Sequence, residues 1–112
     1  MKDPLDSQSL SGSSRSLLPD FHAVRKSTLI FRALNHPLRQ KMLSILQENK
    51  QITVTELFQM MKLEQSVVSQ HLAILRRSGF VQTKREGKFI WYTLNPERLR
   101  TINECLKLLL YS

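Results

Sequence analysis

The run Gln65-Ser66-Val67-Val68-Ser69-Gln70-His71-Leu72-Ala73-Ile74-Leu75-Arg76-Arg77 places amides, hydroxyls and guanidinium groups at helical spacing. On a helix of 3.6 residues per turn, Val68, Leu72 and Leu75 share one apolar stripe. Ser66, Ser69, Gln70, Ala73 and Arg77 fall on the opposite side. Small side chains let such a face come close to another surface. Its amides and hydroxyls can then read donor and acceptor patterns, such as those of base-pair edges in a major groove. In that chemistry Gln65, Ser66, Ser69 and Gln70 read bases. Gln70 can grip an adenine, and Val67 or Ala73 can touch a thymine methyl. His71 lies at the helix margin, where it can donate to a phosphate or serve as a packing residue.

Cations follow at once. Arg76, Arg77, Lys84, Arg85 and Lys88 stand against the single acid Glu86. Cations at a helix end and a hairpin tip neutralise phosphates and release counterions. Arg85 and Lys88 bracket the tip, so a narrow minor groove or the flanking backbone is their natural target. A charge run also suits a merely solvated face; its place beside a polar helix face is what favours DNA. The whole chain carries 17 Lys and Arg against 9 Asp and Glu, a net charge of +8. That balance favours a polyanionic partner.

Other chemistries find little support. His22, His36 and His71 are scattered, with no carboxylate at a recognisable spacing. There is no phosphate-cradling glycine loop and no paired-carboxylate signature, so no enzyme is expected. No two Cys or His candidates form a close pair and no histidine follows His71, so neither a metal nor another cofactor is expected. Cys105 is single and cannot form an internal disulfide. No stretch has the apolar length that crosses a bilayer, and Met1-Lys2-Asp3-Pro4 lacks an apolar signal core. A cytoplasmic chain without membrane contact is expected.

The elements that position these residues follow from spacing and breakers. Residues 1–18 read as a flexible Ser-rich tail, and residues 19–112 as one domain. Pro19-Asp20 opens a helix over residues 21–34. Asn35-His36-Pro37 ends it, and Pro37 suits the first turn of a helix over residues 38–48. That helix is expected to bury Leu38, Met42, Ile45 and Leu46, with Arg39 and Lys41 partly outward. Asn49-Lys50-Gln51 reads as a loop. Thr53-Val54-Thr55-Glu56 fits a capping box for a helix over residues 54–61. Ser78-Gly79 stops the recognition helix. Two strands, residues 80–85 and 88–94, flank a tip at Glu86-Gly87. Trp91 and Tyr92 alternate across the second strand, one toward the core and one toward solvent. Asn95 and Pro96 start a last helix over residues 96–111. Leu99, Ile102, Leu106 and Leu109 line one face of it. Its apolar surface exceeds what one small core needs, so a homodimer is expected, completed by the first helix through residues such as Phe21 and Val24. The layout is mainly α with a small β-hairpin (α+β): a winged helix-turn-helix of five helices and a two-stranded wing.

The stretch Ala33-Leu34-Asn35-His36-Pro37-Leu38-Arg39 resembles the ArsR-type winged helix-turn-helix repressors. So do Glu56-Leu57, Leu63, residues 65–72, Leu75-Arg76, Ser78-Gly79-Phe80-Val81 and Arg85-Glu86-Gly87-Lys88 with Tyr92. The resemblance implies a homodimer joined through its first and last helices, which represses transcription at an inverted-repeat operator and releases DNA on binding an inducer. The chain departs from the family in its sensing residues. Thr53 and Thr55 stand where many relatives carry a Cys-x-Cys pair. No histidine lies in residues 95–111, where another group carries a metal site, and the redox version's second cysteine is missing. Lys62 and Glu64 stand where the family often has Gly and Ser. The implied inducer is therefore unknown. The sequence also admits two alternatives: a winged helix that binds another protein, and an RNA or single-strand binder using Trp91 and Tyr92.

Overall fold

The structure is a computed structural model that describes residues 17–111. The expected tail lies, but for Leu17 and Leu18, outside the described residues. The chain divides into two units at Arg32 and Ala33.

Helix α1, Phe21–Leu34, starts where expected. Asp20 caps it, its Oδ1 accepting from the backbone N–H groups of His22 at 3.0 Å and Ala23 at 3.1 Å. Phe21 and Val24 are exposed. Asn35 and His36 break the chain, and α2, Pro37–Asn49, begins with proline in its first turn. Its inner face buries Met42, Ile45 and Leu46, while Leu38 is only half-buried.

Arg39 overturns an expectation. It points inward and is 7 % exposed. It lies three residues before Met42 and seven before Leu46, so helical spacing places it on the apolar face. Hydrogen bonds to the Ala33 carbonyl and to His71 satisfy it there.

Helix α3, Val54–Met61, carries the expected capping box. Thr53 Oγ1 accepts from Glu56 N–H at 3.2 Å, and Glu56 Oε1 accepts from Thr53 N–H at 3.0 Å. Helix α4, Gln65–Arg77, buries Val68, Leu72 and Leu75 completely. Burial of each such side chain contributes about 1.5–3 kcal/mol.

The sheet has one strand more than expected. Gln51–Ile52 forms β1, and the order is β1-β3-β2, all antiparallel, with β2 at Val81–Glu86 and β3 at Phe89–Leu94. Gln51 pairs with Thr93 and Ile52 with Tyr92. Two residues are too short to show alternation, so β1 left no period in the sequence; its signal is the buried Ile52, 3 % exposed. The hairpin tip also shifts by one residue. Glu86 pairs with Phe89, leaving Gly87 and Lys88 as the loop. Gly87, at φ +62°, takes the first central position, where a primed turn requires positive φ.

Helix α5, Pro96–Leu110, is capped by Asn95, whose Oδ1 accepts from Arg98 N–H at 3.4 Å. Asn95 Nδ2 donates to the Gly79 carbonyl at 2.9 Å, and Asn95 N–H to the Phe80 carbonyl at 2.9 Å. One residue thus ties the exit of α4 to the start of α5. Ile102, expected on the interface face, is 9 % exposed and packs in the core of its own chain. Leu99 and Leu106 are half-buried, whereas Leu108, Leu109, Leu110 and Tyr111 are exposed. No described helix is long and apolar enough to cross a membrane.

Candidate nucleic-acid interface

The turn before α4 is held from the α3 side. Lys62 adopts the left-handed conformation at φ 56°. Its N–H donates to the Gln59 carbonyl at 3.3 Å, and Leu63 N–H donates to the Phe58 carbonyl at 3.1 Å. Glu64, the N-cap of α4, makes no side-chain capping bond. Helix α4 therefore takes its orientation from the packing of its inner face rather than from its start.

That packing turns the other face outward. Gln65, Ser66, Ser69, Gln70 and Ala73 are all exposed, and Val67 is half-buried. Arg76 and Arg77 follow on the last turn, also exposed. The face is continuous over the whole helix, without a charged residue before Arg76. Between α4 and β3 lies a concavity of about 410 Å³, lined by Ser69, Leu72, Ala73, Arg76, Arg77 and Tyr92. Two guanidinium groups at its rim suit an anionic oxygen.

The strand register sorts the wing cations. Cross-strand partners share a face. Lys84 opposite Trp91 and Glu86 opposite Phe89 lie on one side; Thr83 opposite Tyr92 and Arg85 opposite Ile90 lie on the other. Lys84 Nζ is paired with Glu86 Oε2 at 3.3 Å. Arg85 thus shares the ribbon face of Tyr92, which lines the concavity with Arg76 and Arg77. Arg85 Nη1 reaches the Gly87 carbonyl only at 3.5 Å. Lys88 sits over the Phe89 ring, 5.5 Å from its centroid. The five cations read together from the sequence therefore divide: Arg76, Arg77 and Arg85 on one side, Lys84 on the other, Lys88 at the tip.

Trp91 and Tyr92 do not alternate between core and solvent. Both are half-buried, because β3 is the central strand and each face is partly covered. Phe89, whose ring centroid is 6.2 Å from that of Trp91, is the aromatic of β3 that stands exposed.

His71 is half-buried and faces two ways. Its Nδ1 meets Arg39 Nη1 at 3.1 Å, and its ring lies 4.6 Å from that of His36. A guanidinium only donates, so Nδ1 accepts and Nε2 carries the proton in the neutral ring. Burial first, then the neighbouring His36 and Arg39, holds the His71 imidazole below the usual histidine range. Arg39 was expected partly outward and was given no part in the site. Its spacing from Met42 and Leu46 was the available signal.

Among the described residues, no three His, Cys, Asp or Glu side chains group to hold a metal ion. Cys105 is half-buried on α5.

The chain has known relatives. Residues 36–83 match the family described as "Bacterial regulatory protein, arsR family". The transcriptional activator HlyU of Vibrio cholerae is 36% identical over 81 residues, which cover 72% of this chain and 74% of that protein. The transcriptional repressor PagR of Bacillus anthracis is 31% identical over 87 residues, covering 78% and 87%. The solved structure of HlyU from Vibrio cholerae N16961 superposes with a TM-score of 0.62 at 33% identity, over 80% of this chain and 97% of that one. By these matches the chain is a transcription regulator and belongs to the arsR family of bacterial regulatory proteins.

Proposed function

We propose that this protein is a homodimeric, sequence-specific repressor that binds duplex DNA without catalysis and without a metal. Two copies of α4 enter successive major grooves and the wings reach the flanking backbone. Gln65, Ser66, Ser69 and Gln70 meet base edges, with Val67 and Ala73 against thymine methyls. Arg76, Arg77, Arg85 and Lys88 meet phosphates; Lys84 joins them only by leaving Glu86. His71 contributes through its Nε2–H. One observation carries this reading: the uncharged outer face of α4 is exposed over its full length and ends in two guanidinium groups beside the wing.

The dimer is supported by exposed apolar side chains on both terminal helices, Phe21 and Val24 on α1 and Leu108, Leu109 and Leu110 on α5. The inducer is a proposal of class only: Thr53 and Thr55 are not thiolates, so a soft metal at that position is not the signal.

The test is to sequence the fragments of the source genome that the full-length protein retains, then to titrate one of them across salt concentration. Steep salt dependence and preference for that duplex over random duplex and over single strands are expected. Absence of duplex binding at low salt would leave a protein-interaction module as the better reading.

A further inference from the structure

Arg39 is the only charged side chain in the buried core of the described residues. It enters from α2. Its Nε donates to the Ala33 carbonyl at 2.6 Å, and its Nη1 donates to His71 Nδ1 on α4 at 3.1 Å. His36 is fixed in the same manner. Its Nδ1 accepts from Leu38 N–H at 3.1 Å as the N-cap of α2. The two imidazoles lie against each other, centroids 4.6 Å apart and planes tilted by 53°. Each Nδ1 is placed as an acceptor, and each faces a donor that cannot change roles.

We propose that His36, Arg39 and His71 form a proton-operated latch on the recognition helix, closed while both rings are neutral and opened when either takes a proton. The proposal rests on the DNA-binding reading above. A proton on either Nδ1 sets N–H against N–H, so that hydrogen bond is lost outright. It also adds positive charge beside a guanidinium that cannot give up its own.

The charged neighbours make the protonated state worse. The groups acting on His71 are His36, from the segment before α2, and Arg39, from α2 itself. On the other elements packed against α4, Glu56 of α3 is committed to its Thr53 cap. Lys84, Arg85 and Glu86 lie along β2 toward the wing tip, and Lys41 and Glu48 are exposed on α2. Among the described residues, no carboxylate is among the groups that act on the ring. A protonated His71 is therefore relieved by movement of α4 relative to α2. Such a movement displaces the face that carries Ser66, Ser69 and Gln70. Arg39 acts here as a positioning residue, through His71.

The direction distinguishes the latch from simple electrostatics. Acid makes the whole chain more cationic, which by itself tightens duplex binding. The latch loosens it.

The first measurement uses the ¹⁵N-labelled full chain without DNA, following the histidine ring nitrogens and the α4 amides from about pH 7.5 to about pH 5. At the upper pH, both His36 and His71 are expected to show a bare Nδ1 and a protonated Nε2. The α4 amides are expected to shift together with the ring titration. A proton on His71 Nδ1 at neutral pH, or α4 amides indifferent to the titration, overturns the latch.

The second uses a dye-labelled duplex that the protein retains, at fixed ionic strength. Affinity should fall roughly fivefold or more on acidification, the lower end of typical couplings between sites. In the His36→Asn/His71→Gln double variant each side chain keeps an acceptor but cannot titrate. Referred to its own neutral-pH affinity, this variant should lose the acid effect. Should that pair not fold, His36→Asn alone keeps the cap, removes one ring and should show a reduced acid loss. Affinity that is flat or rises with acid in the unaltered chain overturns the latch. A chain that binds no duplex at any pH instead defeats the DNA reading, and the DNA-free measurement still decides the latch.

Discussion

Replacement of Arg85 by alanine tests the part proposed for the wing in holding DNA. Arg85 lies on the ribbon face of Tyr92, the face that continues into the concavity under Arg76 and Arg77. Its one hydrogen bond, to the Gly87 carbonyl, is at the 3.5 Å limit, so engaging a phosphate sacrifices little. Each phosphate neutralised on B-form DNA contributes about −0.9 to the slope of log K against log salt. The proposed dimer presents the residue twice, so Arg85→Ala should flatten that slope by about 1.8. The loss should be the same on operator and random duplex, because phosphate carries no sequence. Lys84→Ala is the internal comparison. Lys84 is already paired with Glu86 and lies on the opposite ribbon face, so it should flatten the slope less. The assay is fluorescence anisotropy of a labelled duplex, with potassium chloride varied and protein folding checked by circular dichroism. A slope untouched by Arg85→Ala and flattened by Lys84→Ala would refute the assignment of faces.

Gln70→Ala should relax preference at one base position by about 1–3 kcal/mol, read by competition among single-base operator variants; equal losses on operator and random DNA would rule out base reading there. Asn95→Ala removes both the α5 cap and the bond to the Gly79 carbonyl, and should cost about 1–2 kcal/mol in urea unfolding, against a few tenths for an exposed neighbour. His71 makes stability depend on pH. Its folded-state pKa lies below 6.5, so below 6.5 the unfolded chain binds more protons than the folded one. Its contribution is therefore complete above about pH 6.5 and declines as pH falls toward the folded-state pKa. Thermal melts should show a lower midpoint at about pH 5.5 than at about pH 7.5, and a smaller difference in His71→Gln.

What the sequence made legible was whatever repeats or breaks locally. The five helices rest on apolar residues at helical spacing and on breakers such as His36-Pro37, Ser78-Gly79 and Asn95-Pro96, and all five stand near their expected limits. The Thr53–Glu56 capping box also reads directly, because both partners sit within one turn. Features made by distant residues were not legible. Strand β1 exists because β3 offers a free edge some forty positions later, and its two residues carry no period of their own. Arg39 was expected partly outward because a guanidinium usually is. Its bonds to His71 and to the Ala33 carbonyl help to make that burial tolerable. Ile102 was set among interface residues because one helix cannot show which of its apolar positions its own core consumes.

The same division bears on how α4 is aimed. A recognition helix is often thought of as positioned by the turn before it. Here that turn is locally unfavourable: Lys62 sits at φ 56°, where glycine would be easier, and Glu64 leaves the first turn of α4 without a side-chain cap. What holds α4 lies on its inner side, in the complete burial of Val68, Leu72 and Leu75 and in the bond from Arg39 to His71. The apolar contacts resist separation of α4 from the core but, being non-directional, resist sliding and rotation less. The Arg39–His71 bond has a fixed direction and so selects among the packings that the apolar face allows. Residues on the inner side of α4 therefore bear on how its outer face is presented. The two kinds of restraint also respond differently to their surroundings: acid leaves the apolar contacts intact and removes the directional one.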